Sequence, residues 1–113
     1  MRSAHRDGRL FGPYDDARWA DQHVAEMMRT PAEVAVPALV SVRVWPEERR
    51  LLDCAQPVLC VHIKGGGMTD PTEFARGRDN VFVAQTVGSG HFVQIEVPDQ
   101  VHATIERFLT IVG

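Results

Sequence analysis

Two polar residues in the second half of the chain, His91 and Asp70, have the types and the setting for acid–base chemistry. His91 stands between a glycine turn and an apolar run, in Val87-Gly88-Ser89-Gly90-His91-Phe92-Val93-Gln94-Ile95-Glu96-Val97-Pro98. A solvent-facing turn tolerates almost any residue, so an imidazole at this point asks for a reason. Its pKa near neutrality suits it to act as a general base if a carboxylate holds the ring and stabilises its protonated form. Asp70 lies in a loop that follows another apolar run and can supply that carboxylate. Each residue also has a plainer use. His91 can cap backbone groups of its turn, and Asp70-Pro71-Thr72-Glu73 reads as an N-cap, a proline at the first turn and a third-position glutamate. The two uses of Asp70 are compatible, because a helix N-terminus favours the ionised acid. Asp79 is the weaker alternative for the acid.

The elements that must position these residues are legible from periodicity. Val58-Leu59-Cys60-Val61-His62-Ile63 is a nearly continuous apolar run, as in a strand covered on both faces, and Val81 to Val87 is a second β-rich run. Between them the Asp70 cap predicts a short helix. From Pro98 to Val112, residues Val101, Ile105, Phe108, Leu109 and Val112 fall on one face of a closing helix. The order strand, helix, strand, helix predicts two parallel strands joined by a right-handed crossover. In open α/β sheets, binding and catalytic groups gather at the carboxyl ends of the strands. Asp70 follows the first strand and His91 the second, and neighbouring strands lie about 5 Å apart, so the two loops can meet.

Upstream, Asp15 to Arg29 predicts an amphipathic helix with Trp19, Val24, Met27 and Met28 turned to the core. Thr30-Pro31-Ala32-Glu33 is a capping box that starts a second helix, which Pro37 should kink or shorten. Residues 47–56 read as a brief helix or connector, and residues 1–13 as a loose, basic lead-in. His62, within its apolar run, reads as a satisfied core residue.

A chain of 113 residues that is 44% hydrophobic makes one domain with a modest core. A formal charge of −3 offers no cationic footprint, which argues against nucleic acid or an acidic membrane surface and for a small or neutral ligand. The N-terminus lacks the apolar stretch of a signal peptide, and no apolar run reaches the length of a membrane span, so the expected location is the cytoplasm. Cys54 and Cys60 then read as reduced thiols. No metal or other cofactor is expected: His5, His23 and His102 have no partners at ligand spacing, and Gly65-Gly66-Gly67 is not followed by a P-loop lysine.

"PVLCVH", a Gly-rich loop with "DP", and "VFVAQTVGSGHFVQIEVPDQVHATIERFL" together resemble the C-terminal part of the α/β-hydrolase fold over residues 57–112. In that family a proline-led strand delivers the acid, the last strand runs into a Gly-His-Phe turn with the catalytic histidine, and E-x-P precedes the closing helix. Residues 14–56 resemble, more loosely, the end of the family's helical cap. The resemblance implies three segments: a lead-in over 1–13, a cap-like helical segment over 14–56 and a core segment over 57–113. It implies an α/β fold, His91 as general base and Asp70 as its orienting acid, in the family's Ser, Asp, His order.

One departure matters. No G-x-S-x-G nucleophile elbow occurs, and Ser89, two residues from His91, has the wrong spacing. The expected function is therefore that of a partial hydrolase domain, esterase-like toward small ester substrates once a nucleophile-bearing segment is supplied. The alternative is an inactive interaction or dimerisation module derived from the same fold. Two strands leave an unpaired edge, so the expected partner is a second copy of the chain or a complementing N-terminal half.

Overall fold

The computed structural model of the chain describes residues 10–44, 53–64 and 70–113. The two apolar runs form strands β1 (Val58–His62) and β2 (Val81–Gln85), paired in parallel from Val58 opposite Val81 to His62 opposite Gln85. Both ends of this short ladder are fastened. At the entry the Val58 amide donates to Asn80 O at 2.8 Å, and the Asn80 side-chain amide donates to the carbonyls of Cys54 and Gln56 at 2.8 and 3.0 Å. At the exit the Thr86 amide donates to His62 O at 2.9 Å. The strand tips that precede the two candidate residues are thus tied to each other.

The other regular elements of the described residues are helices: α1 (Ala17–Met27) and α2 (Ala32–Val44) before the sheet, α3 (Pro71–Ala75) in the crossover, and α4 (Val93–Glu96) with α5 (Pro98–Val112) after it. The expected α/β arrangement of two parallel strands with flanking helices is present. The closing helix occupies the predicted residues, and Phe108 on it meets the Phe82 ring edge-to-face at 5.5 Å. Such a pair adds about 0.5–1.5 kcal/mol to the burial itself. Side chains alternate along a strand, so Ala84 and the register partners Leu59 and Val61 share the face of Phe82. Among the described residues the sheet has two strands, and no residue of either is fully buried, as expected of so narrow a sheet.

Three features differ from the sequence reading. Pro37 neither ends α2 nor limits it to a stub; the helix runs thirteen residues through it. The proline removes one ladder bond near the start of the helix, and because the whole segment faces water the freed carbonyl remains hydrated. The apolar stripe of α1 turns to the core only in its first part: Ala20 is wholly buried, but Met27 and Met28 are exposed. The expected lead-in lies outside the described residues over 1–9, while Leu10 to Pro13 pack on the body and Phe11 is only 6% exposed. The connector expected over 47–56 is described only from Asp53 onward, where it is a turn, and the triple glycine lies outside the described residues.

Candidate functional site

The site is the common end of the two strands, and most of its order comes from the turn between β2 and α4. Thr86 is 4% exposed and its hydroxyl shares a 2.7 Å hydrogen bond with that of Ser89. Gly88 takes φ +72°, the left-handed region that a glycine enters without a Cβ penalty. Gln100, in the first turn of α5, grips Val87 at both ends of its peptide. The Val87 amide donates to Gln100 Oε1, and Gln100 Nε2 donates to the Val87 carbonyl, each at 2.8 Å.

The far side of the turn is held by the segment before α1. Asp15 is a buried carboxylate that accepts the Gly12 amide at 2.8 Å with one oxygen and the Gly90 amide at 3.0 Å with the other. The His91 amide donates to Leu10 O at 2.9 Å. Residues 10–15 therefore form a strap that fixes the backbone on both sides of the Gly90–His91 peptide. Asp16, next to the buried carboxylate, caps α1 by accepting the Arg18 amide at 2.9 Å.

Around Phe92 the strap and α1 build an aromatic cluster. Phe92 lies 5.7 Å from Phe11, 5.6 Å from Trp19 and 4.4 Å from His23 between ring centroids, and Trp19 stacks on His23 at 5.1 Å. Phe92 also meets the His91 ring edge-to-face at 5.1 Å. The exposed His91 imidazole thus rests against a ring that is itself packed in the aromatic cluster.

Asp70 stands at the head of α3 as the expected N-cap, accepting the Thr72 amide at 3.0 Å and the Thr72 hydroxyl as well. The bond from the Thr72 hydroxyl, then that from its amide, holds the carboxyl below the usual carboxylate range, with the nearby His62 helping. A carboxylate in this state is ionised at neutral pH, as an orienting acid must be. Among the described residues no hydrogen bond joins it to the His91 ring.

Asp79 precedes β2 and His91 follows it, so the two are separated by the full length of that strand, about 16 Å at 3.3 Å per residue. Of the two acids only Asp70 follows its strand in the chain, as His91 follows β2. His62 is the last residue of β1, half-buried, and not in the middle of a covered strand, because the strand stops one residue before Ile63. That places a second imidazole beside Asp70. Cys60, within β1, is no substitute nucleophile: burial pushes its thiol up, away from the thiolate. Cys54 and Cys60 are both free thiols.

Glu96 closes the strap from the α4 side. It accepts the Asp16 amide at 3.3 Å and lies beside Asp15, and its carboxyl is pushed up by desolvation and by the charges of Asp15 and Asp16. The folded protein then holds a proton on Glu96 more tightly than the unfolded chain does. Stability contributed by this group is highest at low pH and falls as pH rises from its ordinary value of 4.5 through the raised one. Glu96→Gln keeps an acceptor for the Asp16 amide and removes the charge. Its melting temperature should exceed that of the parent at pH 7 and match it at pH 4, a difference read directly from thermal melts at the two pH values.

Asp15, His62 and the cluster around Phe92 are the parts that sequence reasoning missed. Asp15 and Asp16 both read as acids at the start of a helix; the helix begins only at Ala17, Asp16 caps it, and Asp15 holds the strap instead. No protein-family model, curated protein or solved structure matches the chain. Among the described residues no helix is long and apolar enough to cross a membrane.

Proposed function

We propose that the chain is a partial hydrolase domain of the α/β type, carrying the acid and histidine of a Ser, Asp, His arrangement. It becomes esterase-like toward small esters when a nucleophile-bearing segment is supplied. The observation that carries this reading is that His91 and Asp70 follow adjacent parallel strands at the same end of the sheet. The hydroxyl of the supplied serine would give its proton to the His91 imidazole as it attacks the ester carbonyl. His91 would then pass that proton to the departing alkoxide, and Asp70 would stabilise the imidazolium between the two transfers. The reading places the domain in the reducing cytoplasm, with both cysteines as thiols.

The test is hydrolysis of p-nitrophenyl acetate by the chain with and without a co-expressed polypeptide carrying a G-x-S-x-G elbow and an oxyanion-hole loop. The chain alone should match its His91→Ala variant. The mixture should turn over, and His91→Ala should lower that rate by about 10² to 10⁴, the usual worth of a positioned base. A mixture that associates but turns over no faster with His91 than with alanine overturns the reading. A second reading, an interaction module without activity, is favoured by one observation: α2 presents its apolar residues to solvent.

A further inference from the structure

Three carboxyl groups meet where the strap reaches α4. Asp15 and Asp16 come from the segment ahead of α1, and Glu96 is the last residue of α4. Glu96 accepts the Asp16 amide at 3.3 Å, which sets its carboxyl beside that of Asp15. Among the described residues none of the three has an ion pair with a cation. The other titratable side chains nearest in the chain are Arg18, Asp21 and His23 on α1, His91 on the turn, and Asp99 and His102 on α5; His23 is half-buried and the rest are exposed.

Two ionised carboxylates side by side repel, and the pair is relieved when one keeps its proton and donates it to the other. Asp15 uses both oxygens to accept amides, those of Gly12 and Gly90, so the proton falls to Glu96. Burial of Glu96 and the charges of its two acidic neighbours push its carboxyl up, and a proton there has the Asp15 carboxylate within hydrogen-bonding reach.

We infer that Glu96 is a pH-sensitive latch on the strap: as a carboxylic acid it binds Asp15 and holds residues 10–15 on the Gly90–His91 turn, and as a carboxylate it repels Asp15, so that the strap opens more often. The strap is the part that moves. The turn keeps its hold on α5 through Gln100, whereas residues 10–15 meet the turn through the Asp15 carboxylate, the Leu10 carbonyl and the Phe11 ring. Opening uncovers Phe11 and frees the amides of Gly90 and His91. The closed strap binds the Glu96 proton more tightly than the open one, so closure is firmest in acid and weakens as pH rises from the ordinary value of 4.5 through the raised one. The backbone that carries His91 is therefore held harder in acid than at neutral pH. The latch goes beyond the proposed ester chemistry and does not rest on it, because it is read from the strap and not from turnover.

The experiment is amide hydrogen exchange of the full chain at pH 4.5 and 7.5, expressed as protection factors so that the intrinsic pH dependence of exchange cancels. In the parent, protection of the Gly90 and His91 amides should fall about tenfold between the two values, while that of the Val58 amide, bonded to Asn80 O in the sheet, holds. Glu96→Gln keeps an acceptor for the Asp16 amide and should show no fall. Asp16→Asn keeps a capping oxygen, removes one of the repelling charges, and should show a smaller fall than the parent. Far-UV circular dichroism at both pH values is the folding control. Histidine side chains ordinarily change charge within this range, and His23 and His91 are present in both variants. A fall that persists in Glu96→Gln therefore belongs to a histidine and overturns the inference. It is overturned equally by a parent with the same protection at both pH values, by an Asp16→Asn variant that falls as far as the parent, and by a fall that Val58 shares, which is unfolding of the whole domain.

Discussion

Asp15→Ala lowers the melting temperature by roughly 10–20 °C, the effect of about 2–4 kcal/mol on a domain of this size. The residue looks unimportant by position, one of two acids ahead of a helix. Its two oxygens, however, accept the amides of Gly12 and Gly90, and the second of these bonds is buried and spans 75 residues. Alanine removes both acceptors and leaves a buried amide without a partner, which costs more than the bonds contributed, because water cannot replace them. Asp15→Asn separates the two contributions. An asparagine oxygen can accept one amide while its NH₂ group meets the other donor to donor, so the loss should fall between those of the parent and alanine. Asp16→Ala is the control: it removes a cap on the exposed start of α1 and should cost only about 1 kcal/mol. Melts of the four proteins at pH 7 check the order. If Asp15→Ala and Asp16→Ala melt together, the strap does not hold the His91 turn.

The contrast between these two aspartates shows what the sequence could and could not carry. Asp16 and Asp70 are caps whose partners are two residues away, a local relation of the kind that spacing revealed for Asp70. The strands and α5 are equally legible, since their periods of two and 3.6 record which face is covered. Asp15 acts on Gly90 through tertiary contact, and no local pattern encodes a partner 75 positions distant. The same distinction explains His62. Its apolar neighbours mark a strand correctly, but where the strand stops decides whether the imidazole is in the core or at the tip beside Asp70, and element ends are fixed by the neighbouring turns. Helix α2 divides in the same way. Its start is legible from the capping box, but that its valines stay 56 to 76% exposed is a matter of tertiary packing, which no local pattern encodes.

Gly90→Ala should detach the strap altogether, at a cost comparable with that of Asp15→Ala. A Cβ at position 90 would lie 2.5 Å from the Gly12 nitrogen and 2.7 Å from Leu10 O, and would overlap the Asp15 carboxylate. Two of those three neighbours are backbone, so no side-chain rotation relieves the clash, and either the turn or residues 10–15 must move. The turn is fastened by the double Gln100 clamp and by Thr86 as well as by the strap, whereas the strap is tied to the turn through Gly90 and His91 themselves, so the strap yields. Its departure exposes Phe11 and removes one wall from Trp19 and Phe92. The cost should be about 3 kcal/mol, at the upper end for forced overpacking, because the two Asp15 bonds go with it. Gly88→Ala gives the scale for conformational strain alone. There the left-handed φ is unfavourable, but the nearest atom, a Tyr14 ring carbon, is 3.8 Å away, and a loss of about 1 kcal/mol is expected. In a Trp45→Phe background, Trp19 fluorescence of Gly90→Ala should shift to the red and limited proteolysis should cut within residues 10–16, while far-UV circular dichroism keeps the signal of β1, β2 and α5. Adding Asp15→Ala to Gly90→Ala should then cost almost nothing further, because the contact that Asp15 makes is already gone. Full additivity of the two losses would mean that the clash is relieved somewhere other than the strap.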